Sequence, residues 1–228
     1  MTTAMEEAVS KEARRARRNY NFLFALTLVG ILLLLWVVLS IATPNFLTER
    51  NIPNLLRQGS MIAVLALGET FTIITAGIDL SVGAIAGFTT VVIAMLIQAG
   101  VPVWLSIVLT LLVGLAIGIF HAFGITKMGL PPFIITLATL TSLRGIGLLM
   151  TNGATISITD KGFTDFATLD WLGIPSLFWM VILVGIPSYI FLDHTRWGRY
   201  IFAVGSNPES ACLSGVRVQF VIYIAYSL

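Results

Sequence analysis

Of 228 residues, 57% are hydrophobic and only 11% charged, against about 25% charged in an ordinary soluble domain, which excludes a water-soluble globule. Eight charged residues crowd into the first eighteen positions (Glu6, Glu7, Lys11, Glu12, Arg14, Arg15, Arg17, Arg18), leaving a body that dissolves in lipid. The net charge of +2 is too small to point to nucleic acid, and the single cysteine, Cys212, excludes an internal disulfide and a multi-cysteine metal site.

At about 20 apolar residues per crossing, the length holds six or seven spans and no separate soluble catalytic domain. Ser40-Ile41-Ala42 looks like a cleavage site, but the uncharged run of residues 22–42 exceeds the ~7–15 residues of a signal-peptide core, so it reads as a retained first span after a basic leader, residues 1–21. Residues 43–57, with Pro44, Pro53, Arg50 and Arg57, read as an external loop. Residues 58–100 are apolar apart from Glu69, Asp79 and Gln98, about twice one crossing, and must fold back once. The break is expected at Gly77-Ile78-Asp79-Leu80-Ser81, where glycine frees the backbone and Asp79 caps the next helix.

Residues 100–102 form an external turn and residues 103–126 a fourth span ending at Lys127. Pro131-Pro132 opens a fifth helix running to about Thr151. Residues 152–170 are polar and external, residues 171–192 return as a sixth span kinked at Pro187, and residues 194–217 are cytoplasmic. This path puts nine Lys or Arg inside and three outside (Arg50, Arg57, Lys161), with Arg144 at membrane depth, as the positive-inside rule requires. The expected fold is an all-α polytopic transmembrane helix bundle with a cytoplasmic N-terminus: six complete spans within residues 22–193, a cytoplasmic segment at 194–217, and the start of a seventh span at 218–228. Eleven residues cover only about 16 Å of a ~30 Å core. That last segment is therefore expected to slip out to the cytoplasmic interface, with the coding sequence continuing past Leu228 or the product being a remnant unable to transport alone.

No G-x-x-x-x-G-K-[ST] run is present to cradle ATP, so energy must come from elsewhere. His121 and His194 have no ligand partner at helical spacing and read as packed or interfacial residues, and no metal site is expected. No G-x-S-x-G elbow suggests a hydrolase. Three ionisable residues at membrane depth, Glu69, Asp79 and Arg144, are costly in lipid. They form either a proton or ion pathway or, the favoured reading, structural partners: Arg144 paired with Asp79 or Glu69, or a hydrogen-bonded carboxylate at a helix break. Gly83-x-x-x-Gly87 and Gly114-x-x-x-Gly118 read as helix contacts inside one subunit.

In residues 195–216, Asn207 suits an N-cap, Pro208 the first helical position, Glu209 the helix dipole, and Gly215 a left-handed end. They predict a helix of about two turns, roughly 10 Å long, too short to stand without a docking surface.

Three stretches resemble the permease subunits of the bacterial ribose, xylose and arabinose type of ATP-binding-cassette importers: Thr75-Ala76-Gly77-Ile78-Asp79-Leu80-Ser81-Val82-Gly83; Pro131-Pro132-Phe133-Ile134-Ile135-Thr136-Leu137 through Arg144-Gly145 to Thr151-Asn152-Gly153; and Gly198-Arg199 through Ala203-x-Gly205-x-Asn207 to Ala211 and Gly215-Val216. Ser210 departs from the alanine common there. Family members are about half as long again, with about ten spans where this chain holds six and a beginning. The resemblance implies a non-enzymatic inner-membrane subunit that moves a monosaccharide by alternating access. Its implied partners are an ATPase subunit carrying the ATP and Mg²⁺, an extracytoplasmic sugar-binding protein, and a second permease copy; this chain itself carries no cofactor. It makes Gly198, Arg199, Ala203, Gly205, Asn207, Pro208, Ser210, Ala211 and Gly215 the ATPase-coupling segment. Glu69, Gly77, Asp79, Ser81, Gly83, Thr136, Arg144 and Asn152 become candidates for pathway or gating. The alternatives are a proton-coupled secondary carrier built on Glu69, Asp79 and Arg144, or a non-transporting truncated membrane protein.

Overall fold

The computed structural model describes the backbone of residues 2–228 and the side chains of residues 20 and 22–228. It divides into two units, residues 1–55 and 56–228. In the first, helix α1 (Thr2–Ala42) carries the leader and the first apolar run without interruption; the side chains of the basic leader lie outside the described residues. A short turn follows, closed by the Trp36–Phe46 ring contact at 5.7 Å and by the Asn51 amide donating to the Phe46 carbonyl at 2.8 Å. Helix α2 (Asn51–Ile74) starts seven residues earlier than the expected external loop allows, with Pro53 in its first turn, where a missing N–H costs nothing.

The second unit continues α2 and adds α3 (Val82–Gln98), α4 (Val103–Thr126), α5 (Pro132–Thr151), α6 (Lys161–Thr168), a two-stranded hairpin of β1 (Asp170–Trp171) and β2 (Ile174–Pro175), α7 (Ser176–His194), α8 (Arg196–Ser206), α9 (Pro208–Leu213) and α10 (Val218–Ser227). The all-α bundle is as expected. Among the described residues, four helices are long and apolar enough to cross a membrane: Phe22–Ala42, Val103–Thr126, Pro132–Thr151 and Ser176–His194. The α2–α3 break falls where expected, between Ile74 and Val82. Pro132 occupies the first position of α5, and Asn152 ends that helix in a left-handed conformation, φ 51°.

The stretch before α7 also departs from expectation. Residues 152–170 are not simply a polar loop: Asp160 caps α6 by accepting from the Phe163 N–H at 2.9 Å, and the hairpin delays the start of α7 to Ser176. Residues 218–228, expected to start a seventh span, form helix α10 (Val218–Ser227). Helix α10 packs along α4 and α8, burying Val221, Ala225 and Tyr226 against Ala122, Ile201 and Val204. The approach is close enough that a Cβ on Gly118 would fall on the Tyr226 carbonyl, whereas one on Gly114 would meet nothing. Gly118 therefore serves packing inside the chain.

The connections sort to two ends. At one, Arg57 pairs with Asp170 at 2.8 Å and the Gln98 amide donates to the Ser157 carbonyl at 3.1 Å. At the other, Lys127 donates to Gln219 at 2.9 Å and the Leu80 N–H donates to the Thr136 hydroxyl at 3.2 Å. Gly118→Val is expected to destabilise the subunit in detergent by about 1–3 kcal/mol through overpacking, while Gly114→Val stays within about 0.5 kcal/mol. Equal thermal stability of the two variants would refute the α4–α10 contact.

Candidate functional site

The break is organised by hydrogen bonds that replace the lost helix ladder, as apolar surroundings demand. Ala76, not Gly77, takes the left-handed conformation, φ 58°, and the Gly77 N–H closes back on the Thr72 carbonyl at 3.0 Å. Gly77 has a different role: a Cβ there would strike the Tyr226 hydroxyl. The N-cap of α3 is Ser81, not Asp79. Asp79 Oδ1 accepts from the Ser81 N–H at 2.7 Å and from its hydroxyl at 2.5 Å, so the carboxylate holds the cap residue rather than being it. Glu69 Oε1 accepts the Asp79 N–H at 3.3 Å. Thr136, fully buried on the first turn of α5, accepts from Leu80 and donates to the Pro132 carbonyl at 2.9 Å.

Sequence reasoning set His121 aside as a packed residue. It is packed, with no exposed surface, but it faces this break: its Nδ1 lies 3.8 Å from Asp79 Oδ2 and its Nε2 lies 2.9 Å from the Thr139 hydroxyl. Thr139 commits its own hydrogen to the Ile135 carbonyl at 2.9 Å, so Nε2 carries the hydrogen of the His121 bond. Only the shared membrane depth of His121 and Asp79 could have suggested the pair.

Arg144 is not part of this cluster. It makes no ion pair with Asp79 or Glu69, correcting the expected structural pairing, and the trio Glu69, Asp79 and Arg144 does not converge. Its exposed side chain instead lines a cleft of about 470 Å³ between α3, α5 and residues 154–158, floored by Gly83, Ala84, Gly87 and Gly147. Asn152 is the α5 C-cap and does not line the cleft. The pathway candidates thus divide into a break cluster (Glu69, Gly77, Asp79, Ser81, Thr136), a cleft pair (Gly83, Arg144) and the helix end at Asn152. Among the described residues, no group of three or more His, Cys, Asp or Glu is placed to hold a metal ion.

The segment of residues 194–217 folds as two helices where one was expected. Thr195 caps α8 by accepting from the Gly198 N–H at 3.2 Å. Asn207 caps α9 by accepting from the Ser210 N–H at 2.9 Å, with Pro208 at its first position. Gly215 ends it at φ 83°, its N–H on the Cys212 carbonyl at 2.9 Å. The inward side of α8 and α9 buries Gly198, Ile201, Val204 and Ala211. Ala211, which the resemblance puts in the coupling segment, therefore faces its own chain; the outward side of α9 presents Glu209, Ser210, Cys212 and Leu213, the last 91% exposed. Arg199 is exposed and Ala203 half-buried.

Asp79→Ala is expected to lower thermal stability by about 1–2 kcal/mol, as for a lost cap. Asp79→Asn, which keeps an acceptor for Ser81, loses less than half of that. Equal losses would mean that the charge facing His121, rather than the Ser81 bonds, holds the break.

Residues 51–228 match the family described as branched-chain amino acid transport system / permease component. The chain is 37% identical over 209 residues to the ribose import permease protein of Escherichia coli strain K12, covering 89% of this chain and 64% of that protein. It is 40% identical over 199 residues to the ribose import permease protein of Bacillus subtilis strain 168, covering 86% and 62%, and 33% identical over 221 residues to the D-allose transport system permease protein of Escherichia coli strain K12, covering 95% and 68%. It thus spans less than two thirds of the length of the ribose permeases it matches. No solved structure matches it. The extent of the family match and these identities, on a bundle of membrane-length helices, make the chain a member of the branched-chain amino acid transport system / permease component family and a multi-pass membrane protein.

Proposed function

We propose that this chain is the membrane-spanning part of an ATP-binding-cassette importer for a monosaccharide, working by alternating access with a separate ATPase subunit, an extracytoplasmic sugar-binding protein and a second permease copy. The relatives' names, ribose and D-allose permeases, support the substrate class. The observation that carries the mechanism is α9: a capped helix of six residues, anchored inward through Ala211, that holds Leu213 almost wholly outside the fold. A helix this short gains nothing from isolation. An anchored helix with a projecting leucine suits a groove on a rigid partner, and that partner is the ATPase. Sugar would pass near the Arg144 cleft, where a guanidinium supplies five donors to hydroxyl oxygens and the glycine floor leaves room for a ring. The break cluster would shape the opposite gate.

The basic-residue asymmetry supports six spans, with α9 in the cytoplasm and α6 outside. A membrane-impermeant maleimide is expected to spare Cys212 in intact spheroplasts and to label it after permeabilisation. In a Cys212→Ser background, Lys161→Cys should label in intact spheroplasts. Labelling of both from one side refutes the path.

Docking through Leu213 is tested in proteoliposomes holding the full permease, the ATPase and the binding protein. Leu213→Asp places a charge in the contact, a penalty of several kcal/mol when unpaired, and is expected to abolish ligand-stimulated ATP hydrolysis and uptake of radiolabelled sugar while insertion proceeds. Ala211→Glu instead strikes the core and reduces folded protein. Full stimulation in Leu213→Asp excludes α9 as the docking helix; absence of ATP-driven sugar uptake in the wild type overturns the functional reading.

A further inference from the structure

We infer that Gly205 is a positioning residue that locks the coupling segment to the α2–α3 break, so that α8, α9 and the break move as one body. The inference rests on the importer reading above. Its basis is the approach of two backbones: a Cβ on Gly205 would land on the Ile74 carbonyl, with the Thr75 Cα close behind. Ile74 is the last residue of α2, and Thr75 opens the break that Asp79, Glu69 and Thr136 hold together. No other residue type permits that approach, because any side chain starts with the atom that would collide. Helix packing at this distance allows little independent motion.

Three further contacts make the joint a surface rather than a point. Ile201, one turn before Gly205, and Val204, its immediate neighbour, are buried in one cluster with Phe71 of α2. Ala211 joins the same cluster from α9. Tyr226, buried in that cluster, carries its hydroxyl to Gly77 inside the break. A push on Leu213 therefore reaches Ile74 through packed atoms without crossing a flexible loop, and Ile74 lies five residues from each of the carboxylates Glu69 and Asp79. α8 becomes the lever, and α9 its handle.

The test uses the full permease with its ATPase and binding protein in proteoliposomes. Gly205→Ala is expected to assemble, read as co-purification of the ATPase with the permease. Its ligand-stimulated hydrolysis should fall at least tenfold, and sugar carried per ATP should fall with it, at unchanged KM for ATP. The exposed neighbour Ser206→Ala serves as control and should match the wild type. In parallel, spin labels at exposed Ile78 and Ser206 report the joint in a protein with Gly205 intact: their separation should stay constant between resting and vanadate-trapped states, while the separation from Ser206 to Trp104 at the other end changes. Normal stimulation in assembled Gly205→Ala, or a 78–206 separation that shifts as much as 206–104, overturns the lock. If Gly205→Ala does not assemble, the label pair decides alone. Absence of wild-type sugar uptake strikes the importer reading instead, and the label distances separate that outcome from failure of the lock.

Discussion

A helix interrupted inside a membrane must satisfy its freed amides and carbonyls from its own chain, because lipid offers no partner. The stretch between Ile74 and Val82 meets that requirement with the side chains of Glu69, Asp79, Ser81 and Thr136, and much of the second unit follows from it. Thr136 can serve only if α5 begins beside the break, which the Pro131-Pro132 start arranges. Asp79 can stay at depth only among polar neighbours, which brings in His121 from α4 and Thr139 from α5. The carboxylates are thus part of the backbone's hydrogen-bond accounting before they are anything else, and their cost in hydrocarbon is offset by the N–H groups they accept.

Around that constraint the chain sets two layers of function apart. Polar groups near one end fix where the helices stop and turn; the Arg144 cleft, walled by small residues, is left open along α3 and α5. The helices α8 and α9 cover the polar end with a buried apolar side, while their outward side presents polar residues together with Phe202 and Leu213. The buried side is continuous with the bundle core.

What sequence reading captured was local chemistry. The break at Gly77–Ser81, the proline start of α5, and the Asn207, Pro208 and Gly215 punctuation of α9 each depend on a few neighbouring residues, so they are visible without a fold. What it missed depended on direction. Ala211 faces inward because α10 and Phe71 lie beneath it, and no local rule states which side of a two-turn helix is covered. Gly77 looked like the flexible residue of the turn, yet Ala76 bears the left-handed conformation and Gly77 yields space to a tyrosine almost 150 positions away. α6 lay hidden in a stretch read only as polar and external, and α8 in a cytoplasmic segment read as holding one short helix, although Trp197, Ile201 and Val204 repeat at helical spacing and could have marked it. Arg144 was paired with carboxylates by electrostatic economy; geometry gives Asp79 a histidine instead.

The aromatic residues at the far end carry a mechanical consequence. Trp171 of the hairpin and Trp179 of α7 stack edge to face at 6.3 Å beside the amphipathic α6, and Trp171 is largely exposed. Indoles prefer the headgroup level of a bilayer, and this corner suits that level. Helix α7 spans about 28 Å at 1.5 Å per residue, slightly under a ~30 Å core. With its head at that level, any change in bilayer thickness must be absorbed at its tail by tilt or by snorkelling of Arg196 and Arg199. That tail runs directly into α8, so a change in bilayer thickness would reach that helix before the rest of the polar end.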